Sequence, residues 1–173
     1  EDSKPYNSLG NGSAMRVSSI PYVIREYNTM LKFSNISASI THNHVEGIRG
    51  AECIARLIYL MKLASLHDPE VKSIVKDIAT SYYTRVRNTT YDDLRINYEY
   101  NETCEGTVPQ AIICFLESND FEDAIRNAIS IGGDSDTLAA ITGSLAAIYY
   151  GVPRDIEELA LSKLDPYLSK IYL

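Results

Sequence analysis

The spacing of apolar residues along the chain is mainly that of amphipathic α-helices. Apolar side chains recur at intervals of three and four residues from Ser13 to Phe33 and again from His44 to Leu66. Such a period places them on one face of a helix, whereas strand-like alternation is nearly absent. The pattern predicts an all-α fold, a compact multi-helix single domain over residues 1–173 with about seven to nine helices.

Helix starts and breaks divide the rest of the chain. Asp68 before Pro69 is typical of a helix start, and Thr107 with Pro109 predicts a helix with Thr107 as its N-cap. Residues 1–12 predict an irregular loop, and the polar, tyrosine-rich residues 88–105 a long loop with one short helical turn. The other predicted helices are a short one at 35–41, one from Asp120 to Gly132, one from Thr137 to the break at Pro153, and one or two over 156–172.

The densest chemistry lies in Gly132-Gly133-Asp134-Ser135-Asp136-Thr137. The glycines permit positive φ and a close approach of the backbone to a ligand. An Asp before an apolar helix is a good N-cap, but one cap needs only one Asp. Two carboxylates and a hydroxyl also suit a hard cation such as Mg²⁺ or Mn²⁺. Local chemistry therefore leaves helix cap and metal ligand as open alternatives.

Two further stretches combine glycine or polar residues with a helix start. Gly10–Arg16 has glycines and Ser13 ahead of a helix, so its backbone N–H groups either bind an anion such as phosphate or form an ordinary capped start. In Thr41–His44, the two histidines either ligate a metal or contact a substrate, or else belong to a polar turn that caps the long helix.

Composition narrows the class of protein. The chain has 16 Lys and Arg against 23 Asp and Glu, a net charge of −7, which argues against a nucleic-acid or anionic membrane surface. No apolar run approaches the roughly 20 residues that span a bilayer, and residues 1–15 lack the pattern of a signal peptide. Cys53, Cys104 and Cys114 lack metal-ligand spacing. We expect buried free thiols in a reducing compartment, hence a cytoplasmic protein.

Taken in order, Gly10–Arg16, Thr41-His42 and Gly132–Ala140 resemble the ADP-ribosylglycohydrolase family, and Thr107–Phe115 and Asp120–Ala128 are similar to segments of its bacterial members. The resemblance implies an all-α fold that holds a binuclear Mg²⁺ or Mn²⁺ centre. It also implies hydrolysis of the glycosidic bond between ADP-ribose and a protein side chain or a related acceptor.

The resemblance also implies roles for single residues. Asp134, Asp136 and Thr137 would be metal ligands, and the two carboxylates are the catalytic candidates. Hydrolysis at the ribose anomeric carbon builds oxocarbenium character and needs a delivered water, but the residues do not indicate which carboxylate takes the proton. The substrate-binding candidates are Gly12 and Ser13, through the loop backbone at the diphosphate, and His42 along the ADP-ribose. Weaker candidates are Asn11, Arg16 and His44, and for Arg16 an equal alternative is that it anchors the loop through an internal ion pair.

One part of the family pattern has no counterpart in this chain. The family has an N-terminal Gly-rich helix start and a Thr-Asp-Asp run that supplies the other metal ligands. The nearest similar stretch is Thr90-Tyr91-Asp92-Asp93, which has an interposed tyrosine and the wrong order, and a polar loop explains it equally well. We expect the C-terminal portion of a family member. A fragment is favoured over a separate completing polypeptide or a degenerate member.

Three functions follow as hypotheses. The first is a metal-dependent ADP-ribosyl hydrolase, represented by its C-terminal part. The second is a non-catalytic ADP-ribose-binding or structural helical protein on the same fold. The third is a different metal-dependent hydrolase of a phosphorylated or nucleotide-like substrate. For the chain as given we expect weak or absent Mg²⁺ binding, because a hard cation needs more oxygen ligands than one short stretch offers.

Overall fold

The computed structural model describes residues 4–64 and 68–172, which form eleven α-helices. They are α1 Gly12–Met15, α2 Ile20–Val23, α3 Tyr27–Ser39, α4 Val45–Met61, α5 Pro69–Tyr82, α6 Tyr91–Asn97, α7 Cys104–Leu116, α8 Phe121–Ser130, α9 Ser135–Tyr150, α10 Arg154–Leu161 and α11 Pro166–Tyr172. Short 3₁₀ helices lie at Val17–Ser19 and Thr84–Arg87. No strand forms in the described ranges, where an isolated β-bridge pairs Gly10 with Thr103. The all-α prediction is confirmed, with more helices than expected.

The core is built around α4, α7 and α9. Every residue of α7 from Gly106 to Phe115 is buried, as expected for a helix that is apolar on all sides. The α4 helix buries Ile54, Leu57 and Ile58 completely. The α8 helix packs along α9, and α3 packs along α4. The central helices thus form one continuous core. The turn between α8 and α9 lies at one end of it.

The prediction of one continuous helix from Ser13 to Phe33 is wrong. The chain instead forms α1, a 3₁₀ turn and α2, and it becomes extended at Ile24 before α3 begins. Glu26 caps α3, because its carboxylate accepts the backbone N–H groups of Asn28 and Thr29. The α3 helix then runs through the expected boundary at residue 34. The interruption lets the glycine-containing residues before α2 fold back on α4.

The start of α7 also differs from its prediction. The N-cap is Thr103, whose side chain accepts the Gly106 N–H at 3.0 Å, and Pro109 lies inside the helix rather than in its first turn. Thr107 is fully buried, and its hydroxyl is committed to other partners. Thr90 and Asp93 form a capping box that starts α6, so the predicted loop contains a helix.

Most other expectations agree with the structure. His44 is the N-cap of α4. The predicted extent of this helix to Leu66 is wrong, because α4 ends at Met61 and residues 62–64 are not helical. Ser65 and Leu66 lie outside the described residues, as do residues 1–3. Two helices close the chain, as predicted. The three cysteines are free and buried. In the described part of the chain, no helix combines the length and apolar character that crossing a membrane requires.

Candidate active site

The acidic turn, defined as Gly132–Thr137, links α8 to α9. Its glycines have positive backbone angles, with φ of 79° at Gly132 and 72° at Gly133, a region that other residues rarely adopt. A Cβ atom on Gly133 would lie 2.6 Å from Tyr98 Cε1. The expected positive φ is therefore confirmed. The close approach of the Gly133 backbone is to a tyrosine side chain.

Asp134 stands at the N-cap position of α9 without acting as a cap. Its side chain makes no capping hydrogen bond, and its Oδ2 atom instead accepts a hydrogen bond from Asn11 Nδ2 at 2.6 Å. Asp136 is exposed, and its Oδ1 atom accepts the Thr137 N–H at 3.0 Å. The alternative that Asp134 serves only to cap the helix is thus not supported by its contacts.

The two carboxyl groups are neighbours. The pKa of Asp136 is lowered from its ordinary value, because the Asp134 carboxyl group and then the Thr137 N–H are in hydrogen-bonding contact with it. Asp136 is therefore ionised at neutral pH. Thr137 is buried beside them, with its hydroxyl 3.6 Å from Met15 Sδ. The turn presents several oxygen atoms of the kind that a hard divalent cation binds.

These residues fit only part of a metal-ligand set. Across residues 4–64 and 68–172, no group of three or more His, Cys, Asp or Glu side chains is placed to hold a metal ion. Mg²⁺ prefers an octahedral arrangement of oxygen ligands, and two carboxylates with one hydroxyl supply at most part of it. Water, substrate oxygens or residues from elsewhere would have to supply the remaining ligands.

The glycine loop, defined as Gly10–Arg16, is attached to two helices. Ser13 is buried, and its hydroxyl donates to the Gly47 carbonyl oxygen at 2.6 Å. The Asn11 N–H donates to the Glu102 carbonyl oxygen at 2.7 Å, just before α7. The Ser13 hydroxyl is therefore committed inward. Any contact of this residue with a diphosphate would come from its backbone N–H, as the sequence comparison with the family implied.

His42 lies against the glycine loop. It is 8% exposed, and a Cβ atom on Gly12 would lie 3.0 Å from its Nε2 atom. Its Nδ1 atom shares a hydrogen bond of 2.7 Å with Thr41 Oγ1. Burial, and then the positive charge of Arg16, lowers the pKa of His42, so the imidazole is neutral at pH 7. The structure thus brings His42 and Gly12 together.

Arg16 and His44 have structural contacts. Arg16 Nη2 donates to the Ser37 carbonyl oxygen at 3.0 Å and to Thr41 Oγ1 at 2.8 Å, which fastens the glycine loop to α3 and to the turn after it. His44 Nδ1 accepts the Glu46 N–H at 3.1 Å and so caps α4. For Arg16 the anchoring alternative is supported, through hydrogen bonds rather than an ion pair. For His44 the capping alternative is supported.

Asn11 connects the glycine loop to the acidic turn. Its Nδ2 atom donates to Asp134 Oδ2 and, at 3.0 Å, to Thr107 Oγ1. Thr107 Oγ1 in turn donates to the Asn101 carbonyl oxygen at 3.1 Å. Asn11 and Asp134 are 123 positions apart in the sequence. The three stretches identified from the sequence therefore meet in one place, and Asn11 contacts the acidic turn directly.

Two tyrosines beside the acidic turn were not predicted as site residues. Burial and then the charge of Asp134 raises the pKa of Tyr98. The Tyr100 hydroxyl donates to Glu102, and this bond, with the charges of Asp134 and Asp136 as lesser causes, raises the pKa of Tyr100 to about 12. The only sequence signal for them was the unusual density of tyrosine between the helices before and after.

The Thr90–Asp93 stretch has a structural role. Asp93 Oδ2 accepts the Thr90 N–H at 2.9 Å, and Thr90 Oγ1 accepts the Asp93 N–H at 3.2 Å, a reciprocal capping box. The Thr90 N–H and then the Thr90 hydroxyl, which donates to Asp93 Oδ2 at 2.7 Å, lower the pKa of Asp93. The contacts of Thr90 and Asp93 therefore support a structural role for this stretch, and not the alternative that it supplies metal ligands.

A polar cleft adjoins the site through Tyr98. It has a volume of about 730 Å³ and lies between the 3₁₀ helix Thr84–Arg87, α6 and the start of α7, with Gln110 at its base. Amide and hydroxyl side chains dominate its walls, and Asp134 and Asp136 do not line it. The Tyr98 ring lines the cleft and lies against Gly133 of the acidic turn.

Known proteins resemble this chain over most of its length. ADP-ribosylhydrolase ARH3 from Bos taurus is 26% identical over 185 residues, covering 84% of this chain and 51% of that protein. ADP-ribosylarginine hydrolase Tri1 from Pseudomonas putida is 25% identical over 166 residues, covering 91% of this chain and 44% of that protein. The chain thus spans about half the length of the curated relatives it matches.

The fold is also shared. A solved structure, described as an ADP-ribosylglycohydrolase-related protein complex, matches with a TM-score of 0.72 and 22% identity, covering 94% of this chain and 57% of that one. The sequence model of the ADP-ribosylglycohydrolase family matches residues 1–169. The chain belongs to the ADP-ribosylglycohydrolase family.

Proposed function

We propose that this chain is the C-terminal part of a hydrolase that cleaves the glycosidic bond between ADP-ribose and a protein side chain or related acceptor, using a binuclear Mg²⁺ or Mn²⁺ centre. The observation that carries the proposal is the meeting of the glycine loop with the acidic turn at the Asn11–Asp134 hydrogen bond. The names of the relatives, an ADP-ribosylhydrolase and an ADP-ribosylarginine hydrolase, support the ADP-ribose linkage as the target.

The metal would be held in part by Asp134, Asp136 and Thr137. Their adjacent oxygen atoms support this role, and a divalent ion bound there supplies polarisation of substrate oxygens and a lowered pKa of bound water. The rest of the ligand set would come from a further segment, in the same or a separate polypeptide. This follows from the small number of ligands that the described residues bring together.

The substrate would be bound by the other side of the site. The first-turn N–H groups of Gly12 and Ser13 have no intrahelical acceptor and suit the oxygens of a diphosphate. Neutral His42, whose ring lies beside Gly12, would lie along the ADP-ribose. Ionised Asp136 would stabilise positive charge that develops at the anomeric carbon or accept a proton from the attacking water.

The decisive experiment is a hydrolysis assay on the protein in its full natural length. We expect Mg²⁺-dependent release of ADP-ribose from substrates ADP-ribosylated on arginine or serine, and loss of that release in Asp136→Ala. Asp92→Ala is the matched control, because Asp92 is also an exposed carboxylate in the first turn of a helix. Full activity in Asp136→Ala would remove that residue from the proposed ligand set.

A second candidate function is ADP-ribose binding without hydrolysis, on the same fold. The observation that favours it is the short ligand set, two adjacent carboxylates and a hydroxyl in the described ranges. A protein of this kind would bind ADP-ribose in calorimetry, with binding weakened by His42→Ala, but would release none from a modified substrate. For the isolated chain, tight binding of two Mg²⁺ ions would contradict the proposed dependence on a further segment.

The proposed location is the cytoplasm. It is supported by three free, buried cysteines, since disulfides are rare in reducing compartments. Burial raises the pKa of Cys104 to about 11, so its thiol stays protonated and unreactive at neutral pH. Cell fractionation with detection of this chain would test the location, and recovery outside the cytoplasmic fraction would contradict it.

A further inference from the structure

We infer that Asn11 is a positioning residue that holds Asp134 in place for ligand binding and ties the acidic turn to the glycine loop. The inference rests on the proposed function where it concerns a metal ion. The claim that Asn11 ties the acidic turn to the glycine loop rests on contacts alone. The contact of Asn11 with Asp134 is not implied by its position in the chain, because the two residues are 123 positions apart.

The contacts of the Asn11 amide leave little freedom. Asn11 is 7% exposed, and both of its donors are directed, one to Asp134 Oδ2 at 2.6 Å and one to Thr107 Oγ1 at 3.0 Å. Asp134 Oδ2 accepts this bond, so the amide atom that faces it is the nitrogen and not the oxygen. The chemistry of the partner therefore determines the orientation of this amide.

Thr107 keeps the amide from turning. It is fully buried, and its hydroxyl proton goes to the Asn101 carbonyl oxygen at 3.1 Å. The lone pairs of that hydroxyl are then directed at Asn11, which makes Thr107 a defined acceptor. The resulting series of hydrogen bonds runs from Thr107 in α7 through Asn11 to Asp134, which directly precedes α9. A hydrogen bond to a charged group contributes more than a neutral one.

The effect on Asp134 is to assign its two oxygen atoms. Oδ2 is occupied by the Asn11 amide, which leaves Oδ1 and the second lone pair of Oδ2 for other ligands. Because Asp134 lies outside the regular part of α9 and does not cap it, the Asn11 amide is the contact that holds its carboxyl group from outside the acidic turn. Groups that orient a metal ligand in this way typically raise metal affinity about 10- to 100-fold.

The test measures Mn²⁺ binding to the protein in its full natural length, by paramagnetic broadening of amide NMR signals. We expect Mn²⁺ to broaden the signals of the acidic turn in the wild type and not in Asp136→Ala. Asn11→Ala should raise the apparent Kd for Mn²⁺ about 10-fold or more. Asn97→Ala should leave it unchanged, because the Asn97 amide donates only to the Asp93 carbonyl oxygen on the surface.

Two variants of Thr107 provide a second comparison, at a residue whose hydroxyl bonds to Asn11 and not to Asp134. Thr107→Val keeps the shape but loses the hydroxyl, and it should weaken Mn²⁺ binding in the same direction by a smaller factor. Thr107→Ser keeps the hydroxyl and should bind like the wild type. Thermal unfolding of each variant verifies that it is folded. A loss of stability without a change in Mn²⁺ affinity would indicate a merely structural role and overturn the inference.

Two failures can be told apart. If Asp136→Ala abolishes the broadening and Asn11→Ala does not weaken it, the positioning role is wrong and the proposed metal ligands stand. If the wild-type acidic turn shows no broadening, the proposed metal role fails. Backbone order parameters of Gly133 and Asp134 then decide the positioning role. A fall from about 0.85 towards 0.6 in Asn11→Ala supports it, and unchanged values overturn it.

Discussion

Substituting the two glycines of the acidic turn separates backbone strain from steric contact. Both have positive φ, but a Cβ on Gly132 would meet no atom within 4 Å, whereas one on Gly133 would lie 2.6 Å from Tyr98 Cε1. Left-handed backbone costs a residue with a side chain about 1–2 kcal/mol. Overpacking adds about 1–3 kcal/mol. We expect Gly132→Ala to lower the free energy of unfolding by about 1 kcal/mol and Gly133→Ala by about 3 kcal/mol.

The assay is urea unfolding followed by circular dichroism at 222 nm, since the described fold is helical. Gly151→Ala is a third member of the series, because Gly151 has φ of 76° and no atom within 4 Å of its Cβ position, and it lies at the opposite end of α9. With φ of 76° and ψ of 164°, Gly151 lies in a backbone region that is essentially confined to glycine, so Gly151→Ala should cost at least as much as Gly132→Ala. A domain with a typical stability of about 5–15 kcal/mol stays folded in all three variants.

A double-mutant cycle identifies the cause of the extra cost. In a Tyr98→Ala background the ring atom that meets the new Cβ is gone, so Gly133→Ala should then cost no more than Gly132→Ala. Interactions between residues in contact commonly reach about 0.5–3 kcal/mol in such cycles. Equal costs for the two glycine variants in the wild-type background would refute the close approach of Tyr98 to the turn.

Two further predictions concern stability. Lys72→Met should cost about 2 kcal/mol in urea unfolding, because Lys72 Nζ donates to the Leu116 and Ser118 carbonyl oxygens at 3.0 and 2.6 Å. The exposed Lys76→Met on the same helix should cost little, and similar costs would contradict this. The pKa of His42 is lowered by burial and then by the charge of Arg16, so the unfolded chain binds the proton more readily. Stability should therefore fall as pH drops below about 6.5, and His42→Asn should flatten that dependence; an unchanged slope would contradict it.

Local signals were enough for the helices with a regular apolar period. The periods of α4, α8 and α9 could be read from the sequence because their apolar faces pack against the core. The segment before α3 could not, because its interruption depends on an extended Ile24 and on the capping of α3 by Glu26. The start of α7 was misplaced because both Thr103 and Thr107 are suitable caps. The Thr107 hydroxyl is occupied by a tertiary contact with Asn11 and therefore does not cap the helix.

The α6 helix was predicted only as a short helical turn, although its signal is local. Thr90 and Asp93 have the spacing of a capping box, but the polar and tyrosine-rich composition around them obscured an apolar face. Leu94 is the one buried residue of that helix, too few for a periodic pattern. Tyr98 was overlooked for a related reason, because a single tyrosine in a polar stretch carries no signal of its packing partner.

The sequence by itself determined the helical class, the family and the candidate site residues Asp134, Asp136 and Thr137, because these depend on periods and motifs of nearby residues. Only the tertiary structure decided how the site is assembled. The Asn11–Asp134 hydrogen bond joins residues 123 positions apart, and Gly133 meets Tyr98 across a turn. Such contacts depend on how the helices pack, and no local pattern encodes them. The physical reason is that a hydrogen bond of this length needs both groups fixed by the core that surrounds them.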